Sequence, residues 1–296
     1  MKAPLFKGSA TALITPMKNG EIDLPALDRL LERQLSGGIQ ALVPCGTTGE
    51  PATLSPEEWR TVIARTVDVV GKRVPVIAGT GGNNTRDVIE KANLARQLGA
   101  DAQLCVTPYY NKTTQEGLLA HYRAIARETA LPVILYSVPA RTGMAISVDT
   151  LKELSRLDQI VALKEAGGDI ARAADIRAAC GDDLPLYCGA DEMTVPMLSI
   201  GASGVISVLS NAMPEAVRAM TDAWFSGNVS EAGRAQLLLL PLIRLLFRQV
   251  SPIPIKAALH LMGVCENELR LPLVPLSGDG LEPLRRELER LEVLPQ

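Results

Sequence analysis

Eight short apolar runs along the first two-thirds of the chain constrain its fold more than any other feature. Each run is almost continuously apolar, which is typical of a strand in a parallel sheet that is covered on both faces. Segments with apolar residues at helical spacing separate the runs. Eight such units predict an α/β fold, a (β/α)8 TIM barrel. The runs occupy residues 9–14, 41–45, 74–78, 102–106, 132–136, 160–163, 186–188 and 204–208.

The helices between these runs carry capping signals. Ser55 precedes Pro56 and two glutamates and is therefore a predicted N-cap, and Asn84 or Thr85 is expected to cap the next helix. Helices are predicted over residues 24–34, 56–70, 85–98, 115–129 and 148–154. A doubly wound nucleotide-binding fold is the structural alternative, but the glycine-rich segment 79–84 lacks the third glycine of the dinucleotide fingerprint.

The strand signal stops near Pro214, and only helical patterns follow it. These patterns cover residues 215–225, 230–248, 254–262 and 281–291. We therefore expect a barrel domain over residues 1–225 and a C-terminal helical region over residues 226–296.

Composition and charge argue against several partners. The 30 basic and 33 acidic residues give a net charge of −3 without a long run of like charge, so no nucleic-acid partner is expected. The most apolar stretch, 235–250, is interrupted by charge and is shorter than the roughly 20 residues that cross a bilayer. No signal pattern begins the chain, so a cytoplasmic location is expected. The five cysteines are expected to be reduced and buried.

Lys164 is the first candidate for chemistry. It follows the sixth apolar run, so it is expected at the end of a barrel strand, where barrel enzymes carry their active sites. Burial at such a position would disfavour the charged ammonium and favour a neutral amine able to attack a carbonyl. The alternative is a structural lysine paired with a carboxylate such as Glu165.

Four other features follow predicted strands. Tyr136 ends the fifth run, where its phenol can transfer the protons that imine formation requires, although packing is the alternative. The motif CGTTGE at residues 45–50 can bind a small anion through backbone N–H groups and two hydroxyls, or can form only a tight turn. Arg141 can hold a carboxylate, or can be a surface arginine. The adjacent Tyr109 and Tyr110 suggest an interface or a hydroxyl donor.

These motifs, in this order, resemble the dihydrodipicolinate synthase branch of the pyruvate-dependent, Schiff-base-forming aldolase family that also contains N-acetylneuraminate lyase. The resemblance covers about residues 7–276. Each motif is weak alone, but their order along the chain is specific. They are GTTGE at 46–50, YSVPARTG at 136–143, KEA at 164–166, PIPIK at 252–256 and LRLPL at 269–273.

The resemblance implies two groups of site residues. Lys164 would form the imine with pyruvate, which Thr48, Ile206 and the backbone near Gly189 would hold. Tyr136, Thr47 and Tyr110 would relay protons, with Tyr110 reaching the site from a neighbouring subunit, and Arg141 would bind the carboxylate of L-aspartate-4-semialdehyde.

The implied reaction is a lyase-type condensation in the diaminopimelate route to lysine. The imine converts the pyruvate methyl into an enamine that attacks L-aspartate-4-semialdehyde, and cyclisation gives 4-hydroxy-tetrahydrodipicolinate. No metal or organic cofactor is implied, because the bound substrate itself becomes the electron sink. The resemblance also implies a homotetramer, a dimer of dimers.

Departures from the family pattern concern hydrogen bonding and regulation. Ser137 stands where asparagine is usual, and Ala190 interrupts a common Gly-Asp-Asp. Pro51, Pro56 and Trp59 occupy a region where lysine-inhibited members usually carry polar or histidine residues. Weak or absent inhibition by lysine is therefore expected.

Two alternative functions are an aldolase of another substrate class and a barrel without catalytic activity. A sugar-acid aldolase of the N-acetylneuraminate lyase or 2-keto-3-deoxygluconate aldolase type would share Lys164 and Tyr136, but the lyase branch lacks an arginine at position 141 and favours Ser-Thr over Thr-Thr in the turn. A non-catalytic barrel would be expected to have lost the lysine or the relay hydroxyls, and all of them are present.

Overall fold

A computed structural model describes residues 1–294. Its main feature is an eight-stranded parallel sheet in which each strand pairs with the next along the chain and the first pairs with the last. A parallel bridge between Leu42 and Val76 joins the second strand to the segment before the third, so the sheet closes. The strands are β1 (Gly8–Ala12), β2 (Ala41–Val43), β3 (Ile77–Gly79), β4 (Ala102–Val106), β5 (Val133–Ser137), β6 (Ile160–Glu165), β7 (Leu186–Cys188) and β8 (Gly204–Ser207).

The predicted (β/α)8 barrel is thereby confirmed, with two informative shifts of strand boundaries. The third strand begins at Ile77 rather than residue 74 and ends at Gly79, whose N–H donates to the Pro44 carbonyl. The sixth strand continues two residues beyond its predicted end, to Glu165. Lys164 therefore lies within a strand, because Tyr136 and Tyr187 are its partners in the neighbouring strands.

Twelve helices are present in the described part of the chain. Ser55 caps the second one through a capping box with Glu58, and Asn84 rather than Thr85 caps the third. They are α1 (Leu24–Ser36), α2 (Pro56–Val70), α3 (Thr85–Gln97), α4 (Gln115–Glu128), α5 (Pro139–Thr142), α6 (Val148–Leu154), α7 (Ile170–Cys180), α8 (Thr194–Ser199), α9 (Pro214–Phe225), α10 (Val229–Leu246), α11 (Ile253–Leu261) and α12 (Leu281–Arg290).

Small residues fill much of the barrel interior, and two aromatic rings close its N-terminal end. Phe6 stacks on Tyr187 with ring centroids 4.2 Å apart. The Tyr187 hydroxyl donates to the Phe6 carbonyl and accepts from the Phe6 N–H. The opposite, carboxyl-terminal end of the strands is left for polar residues.

The C-terminal helices continue the core of the barrel. α9 packs on β1, and α10 packs on α9. Leu242 and Ile255 from this region belong to the same buried cluster as the barrel helices. The predicted region 226–296 extends beyond the described residues by two positions. None of the described helices is long and apolar enough to cross a membrane, and all five cysteines are buried.

Candidate active site

A cavity of about 510 Å³ opens at the carboxyl-terminal ends of the strands. Thr47, Tyr136 and Arg141 line it, together with Glu50 and Ser251. Three residues selected from the sequence, contributed by two different strand ends and a short helix, therefore share one concave surface. This is where a barrel enzyme is expected to hold its substrate.

Lys164 lies beside Tyr136, one of the residues that line the cavity. They are register partners in β6 and β5, and their side chains are 5% and 6% exposed. The Lys164 Nζ lies 4.4 Å from the centroid of the Tyr136 ring. Glu165 points the other way and meets Arg172, with Nε and Oε2 3.4 Å apart, so the alternative in which Lys164 pairs with Glu165 is wrong. Successive side chains on a strand face opposite sides, which explains this separation.

Gly189 leaves room for the Lys164 side chain. It follows β7, and its N–H donates to the Glu165 carbonyl at 2.8 Å. A Cβ at this position would lie 2.9 Å from Lys164 Cε and 2.7 Å from Ala166 Cβ. Any side chain larger than hydrogen would thus displace the lysine.

The threonine turn is the 3₁₀ segment Thr47–Gly49 that follows β2. Thr48 is buried and Thr47 is half-buried at the cavity wall. The turn is fixed from the barrel side because Thr15 Oγ1 donates to the Gly49 carbonyl at 2.8 Å. Left-handed backbone at Cys45 (φ 55°) and Glu50 (φ 56°) brackets the turn, and such backbone costs energy in residues other than glycine.

Asp191 is a buried carboxylate whose structural role the sequence interpretation missed. It is fully buried beyond β7, and its Oδ2 accepts from the N–H groups of Val208 and Leu209 at 2.9 and 3.1 Å. It thereby fixes the end of β8, the strand that carries the buried Ile206 into the barrel interior. Burial raises the pKa of Asp191, while hydrogen bonds and the charge of Lys164 oppose that rise. A carboxylate just after a barrel strand was the available signal.

Arg141 and Tyr110 differ in how they relate to the cavity. Arg141, in α5, is exposed at the cavity rim, and its Nη2 donates to the Ser251 carbonyl at 2.9 Å. Tyr110 is 93% exposed and does not join Thr47 and Tyr136 within this chain. Its left-handed backbone (φ 68°) lies in a loop tied to Asn83, whose side chain donates to the Tyr109 carbonyl.

Two departures from the family pattern are part of the protein interior. Ser137 is buried next to Lys164's neighbour Glu165, and burial raises the pKa of that carboxyl against the effect of Arg172. Trp59 is buried in α2, and its indole N–H donates to the Gly79 carbonyl at 3.0 Å. The indole N–H therefore already has a hydrogen-bond partner within the protein.

Comparison with known proteins places this geometry in a broad group of relatives. Residues 5–291 match the model of the dihydrodipicolinate synthetase family. The 4-hydroxy-tetrahydrodipicolinate synthase of Geobacter sulfurreducens is 50% identical over 290 residues, which are 98% of this chain and 100% of that relative.

Solved structures agree with this match. A chloride-inhibited dihydrodipicolinate synthase from Acinetobacter baumannii, complexed with pyruvate, superposes with a TM-score of 0.96 at 42% identity and covers 98% of this chain and 100% of its own. A monomeric dihydrodipicolinate synthase variant superposes with a TM-score of 0.96 at 41% identity, covering 98% of both chains.

Proposed function

The chain belongs to the dihydrodipicolinate synthetase family, and we propose that it is a lyase that condenses pyruvate with L-aspartate-4-semialdehyde to give 4-hydroxy-tetrahydrodipicolinate. This reaction supplies the diaminopimelate route to lysine. The observation that carries the proposal is the buried Lys164 beside Tyr136 at the strand ends. A buried amine next to a phenol matches what a Schiff-base mechanism needs.

Lys164 is the proposed nucleophile. Its neutral amine attacks the keto carbon of pyruvate, and the resulting carbinolamine loses water to form an imine. Loss of a methyl proton gives the enamine, whose carbon attacks the aldehyde of the semialdehyde. The substrate amine then attacks the imine carbon, which closes the ring and releases the Lys164 amine. The imine accepts the electron pair of the broken C–H bond, and the enamine returns a pair to the aldehyde carbon, which forms the carbon–carbon bond and regenerates the imine.

Tyr136 is the proposed proton donor and acceptor for these steps, in a relay with Thr47 and Tyr110. The position of Tyr136 between Lys164 and the cavity supports this role, because Lys164 Nζ lies over its ring and Tyr136 lines the cavity with Thr47. Tyr110 fits only if it belongs to a neighbouring subunit, because in its own chain it faces solvent. A homotetramer built from two dimers is therefore part of the proposal.

The remaining site residues are assigned to binding. Thr48, Ile206 and the backbone at Gly189 hold the pyruvate moiety, and their burial around Lys164 and the barrel interior supports this assignment. Arg141 binds the carboxylate of the semialdehyde at the cavity rim, where a guanidinium can make a bidentate pair.

Two further proposals concern the domain organisation and inhibition by lysine. Residues 1–225 form the catalytic barrel and residues 226–296 a helical region that supports it. Inhibition by lysine is expected to be weak or absent, because Trp59 fills the region where inhibited members carry histidine or polar side chains and its indole N–H is already bonded to Gly79. A low-micromolar inhibition constant would contradict that expectation.

Reduction of the imine by borohydride tests the proposed function. Intact mass measurement after incubation with pyruvate should reveal a pyruvyl adduct in the wild-type chain and none in Lys164→Ala, while Lys152→Ala, at an exposed lysine of α6, should keep it. Pyruvate consumption on addition of L-aspartate-4-semialdehyde selects the synthase, and cleavage of a sugar acid instead selects the aldolase alternative. An adduct that survives Lys164→Ala would overturn the assignment.

A further inference from the structure

A buried ion pair joins the C-terminal helical region to the threonine turn. Lys256, in α11, is 0% exposed, and its Nζ contacts Oε1 of the equally buried Glu50. The same ammonium donates to the Glu268 carbonyl at 2.8 Å. Glu50 directly follows the turn Thr47–Gly49 and lines the cavity. Neither residue reacts with substrate in the proposed mechanism.

The second oxygen of Glu50 is also held by the C-terminal region. Its Oε2 accepts from the backbone N–H of Arg270 at 3.2 Å. The Arg270 guanidinium in turn donates to the Thr53 carbonyl at 2.9 Å and forms an ion pair with Glu58 of α2. The Glu50 side chain and the backbone that follows it are thereby tied to residues after position 250.

Holding a turn by a buried ion pair carries an energetic risk, because each charge depends on its partner. A buried carboxylate without its cation carries a large desolvation penalty, so removing one partner of a buried pair costs far more than removing an exposed one. Burial lowers the pKa of Lys256, and the Glu50 carboxylate opposes that change. Glu50 also adopts left-handed backbone, which is unfavourable for a residue that carries a side chain. The cation from α11 therefore holds the carboxylate, and the carboxylate holds the backbone that ends the turn.

We propose that Lys256 is a positioning residue for the active site: through Glu50 it holds the threonine turn so that Thr48 is in place to bind the pyruvate moiety. The inference rests on the proposed function, because it concerns the substrate assigned to Thr48. It gives the C-terminal helical region a task in substrate binding as well as in packing. A purely structural role for the pair predicts lower stability with unchanged affinity for pyruvate.

The variants Glu50→Gln, Lys256→Met and the double variant Glu50→Gln/Lys256→Met separate these two roles. Each is assayed for thermal midpoint, for KM and kcat with both substrates, and for the pyruvate concentration that gives half-maximal borohydride trapping. Glu268→Gln is the matched control, because its carboxylate accepts from the N–H groups of Asn19 and Gly20 rather than touching Glu50.

We expect each single variant to raise the KM for pyruvate and the half-trapping concentration about tenfold or more, since small displacements of binding groups are costly. The KM for L-aspartate-4-semialdehyde should change much less. The double variant should regain thermal stability, because no unpaired charge stays buried, and should still bind pyruvate weakly. Glu268→Gln should keep the wild-type KM. Recovery of KM together with stability in the double variant, or an unchanged KM in folded single variants, overturns the inference.

Hydrogen exchange on the wild-type chain keeps the inference testable if the variants do not fold. Pyruvate should slow amide exchange in the peptide containing residues 45–50 and also in peptides covering 256–270. Protection confined to the turn would refute the coupling. The wild type also distinguishes the two proposals: a chain that forms no pyruvyl adduct refutes the proposed function, whereas an active chain with unaffected variants refutes only the role of Lys256.

Discussion

Lys164 and Tyr136 face each other across adjacent parallel strands, with the lysine Nζ 4.4 Å from the centre of the tyrosine ring. Strand register fixes this relationship, because both residues belong to the regular part of the ladder between β5 and β6, which runs from Ile134 to Ser137. Backbone pairing therefore holds the amine and the aromatic ring side by side. The first prediction concerns this pair.

Tyr136→Phe should lower kcat for the condensation by roughly 10²–10⁴-fold, the usual contribution of a positioned acid–base group. The ring stays in place, so the thermal midpoint should change little. Stopped-flow trapping with borohydride measures imine formation directly. Imine formation at the wild-type rate would remove Tyr136 from the relay. Tyr122→Phe is the matched control, because its hydroxyl is bonded to the Cys105 carbonyl away from the cavity.

Arg141→Ala should raise the KM for L-aspartate-4-semialdehyde about tenfold to a hundredfold, because a charge-assisted hydrogen bond contributes roughly 1.5–3 kcal/mol. The pyruvyl adduct should form normally, since pyruvate binds deeper, at Lys164. Steady-state kinetics with each substrate varied in turn measures both effects. Arg123→Ala, at an exposed arginine paired with Glu153 on another helix, controls for loss of surface charge. An equal rise in both KM values would argue against the assigned role.

Tyr110 is expected to act in a neighbouring subunit. Tyr110→Phe and Tyr136→Phe chains should each have low activity alone. Mixed dimers then contain one site with both tyrosines, so random reassortment should restore roughly a quarter of wild-type activity. Subunit mixing after mild dissociation, followed by a kinetic assay, tests this. No recovery in verified mixed dimers would mean that Tyr110 does not act between subunits.

Gly189→Ala should slow adduct formation by about tenfold or more, because its Cβ would lie 2.9 Å from Lys164 Cε and displace the amine. The measurement is the rate of borohydride trapping at saturating pyruvate. Gly233→Ala in α10 is the control, since its Cβ would meet nothing within 4 Å. That helical substitution should raise stability by about 0.5–1 kcal/mol and leave trapping unchanged. Equal trapping rates in the two variants would contradict the steric argument.

The Glu58–Arg270 ion pair should make stability fall with acid. The guanidinium of Arg270 lowers the pKa of Glu58 from 4.5 to about 2. The unfolded chain therefore binds a proton at higher pH than the folded chain, and the stabilisation present above pH 4.5 is lost as the pH falls towards 2. As the pH falls through this window, the urea midpoint of unfolding of the wild type should approach that of Glu58→Gln. Glu57→Gln, at the exposed neighbouring position, should show the same change of urea midpoint with pH as the wild type.

The fold was largely predictable because its signals are local. Every predicted apolar run overlaps a strand, and helix α2 (Pro56–Val70) has its predicted bounds. Caps such as Ser55 depend on residues within one turn, so the sequence alone indicates them. Lys164 was identifiable for a similar reason, since a lysine that ends an apolar run conflicts with its neighbours unless it has a function.

The sequence therefore determined the order of the elements, the barrel and the chemical identity of the candidate nucleophile. Only the tertiary structure decided that Glu165 faces Arg172, that Asp191 fixes the end of β8, and that Lys256 meets Glu50. The contact of Lys256 with Glu50 joins residues far apart in the chain, which become neighbours only once the sheet closes and α11 packs against it. The other two contacts depend on how a strand end meets the helix or strand beside it. Hydrophobic periodicity encodes which face of an element is buried, but it carries no information about which distant charge will share that interior.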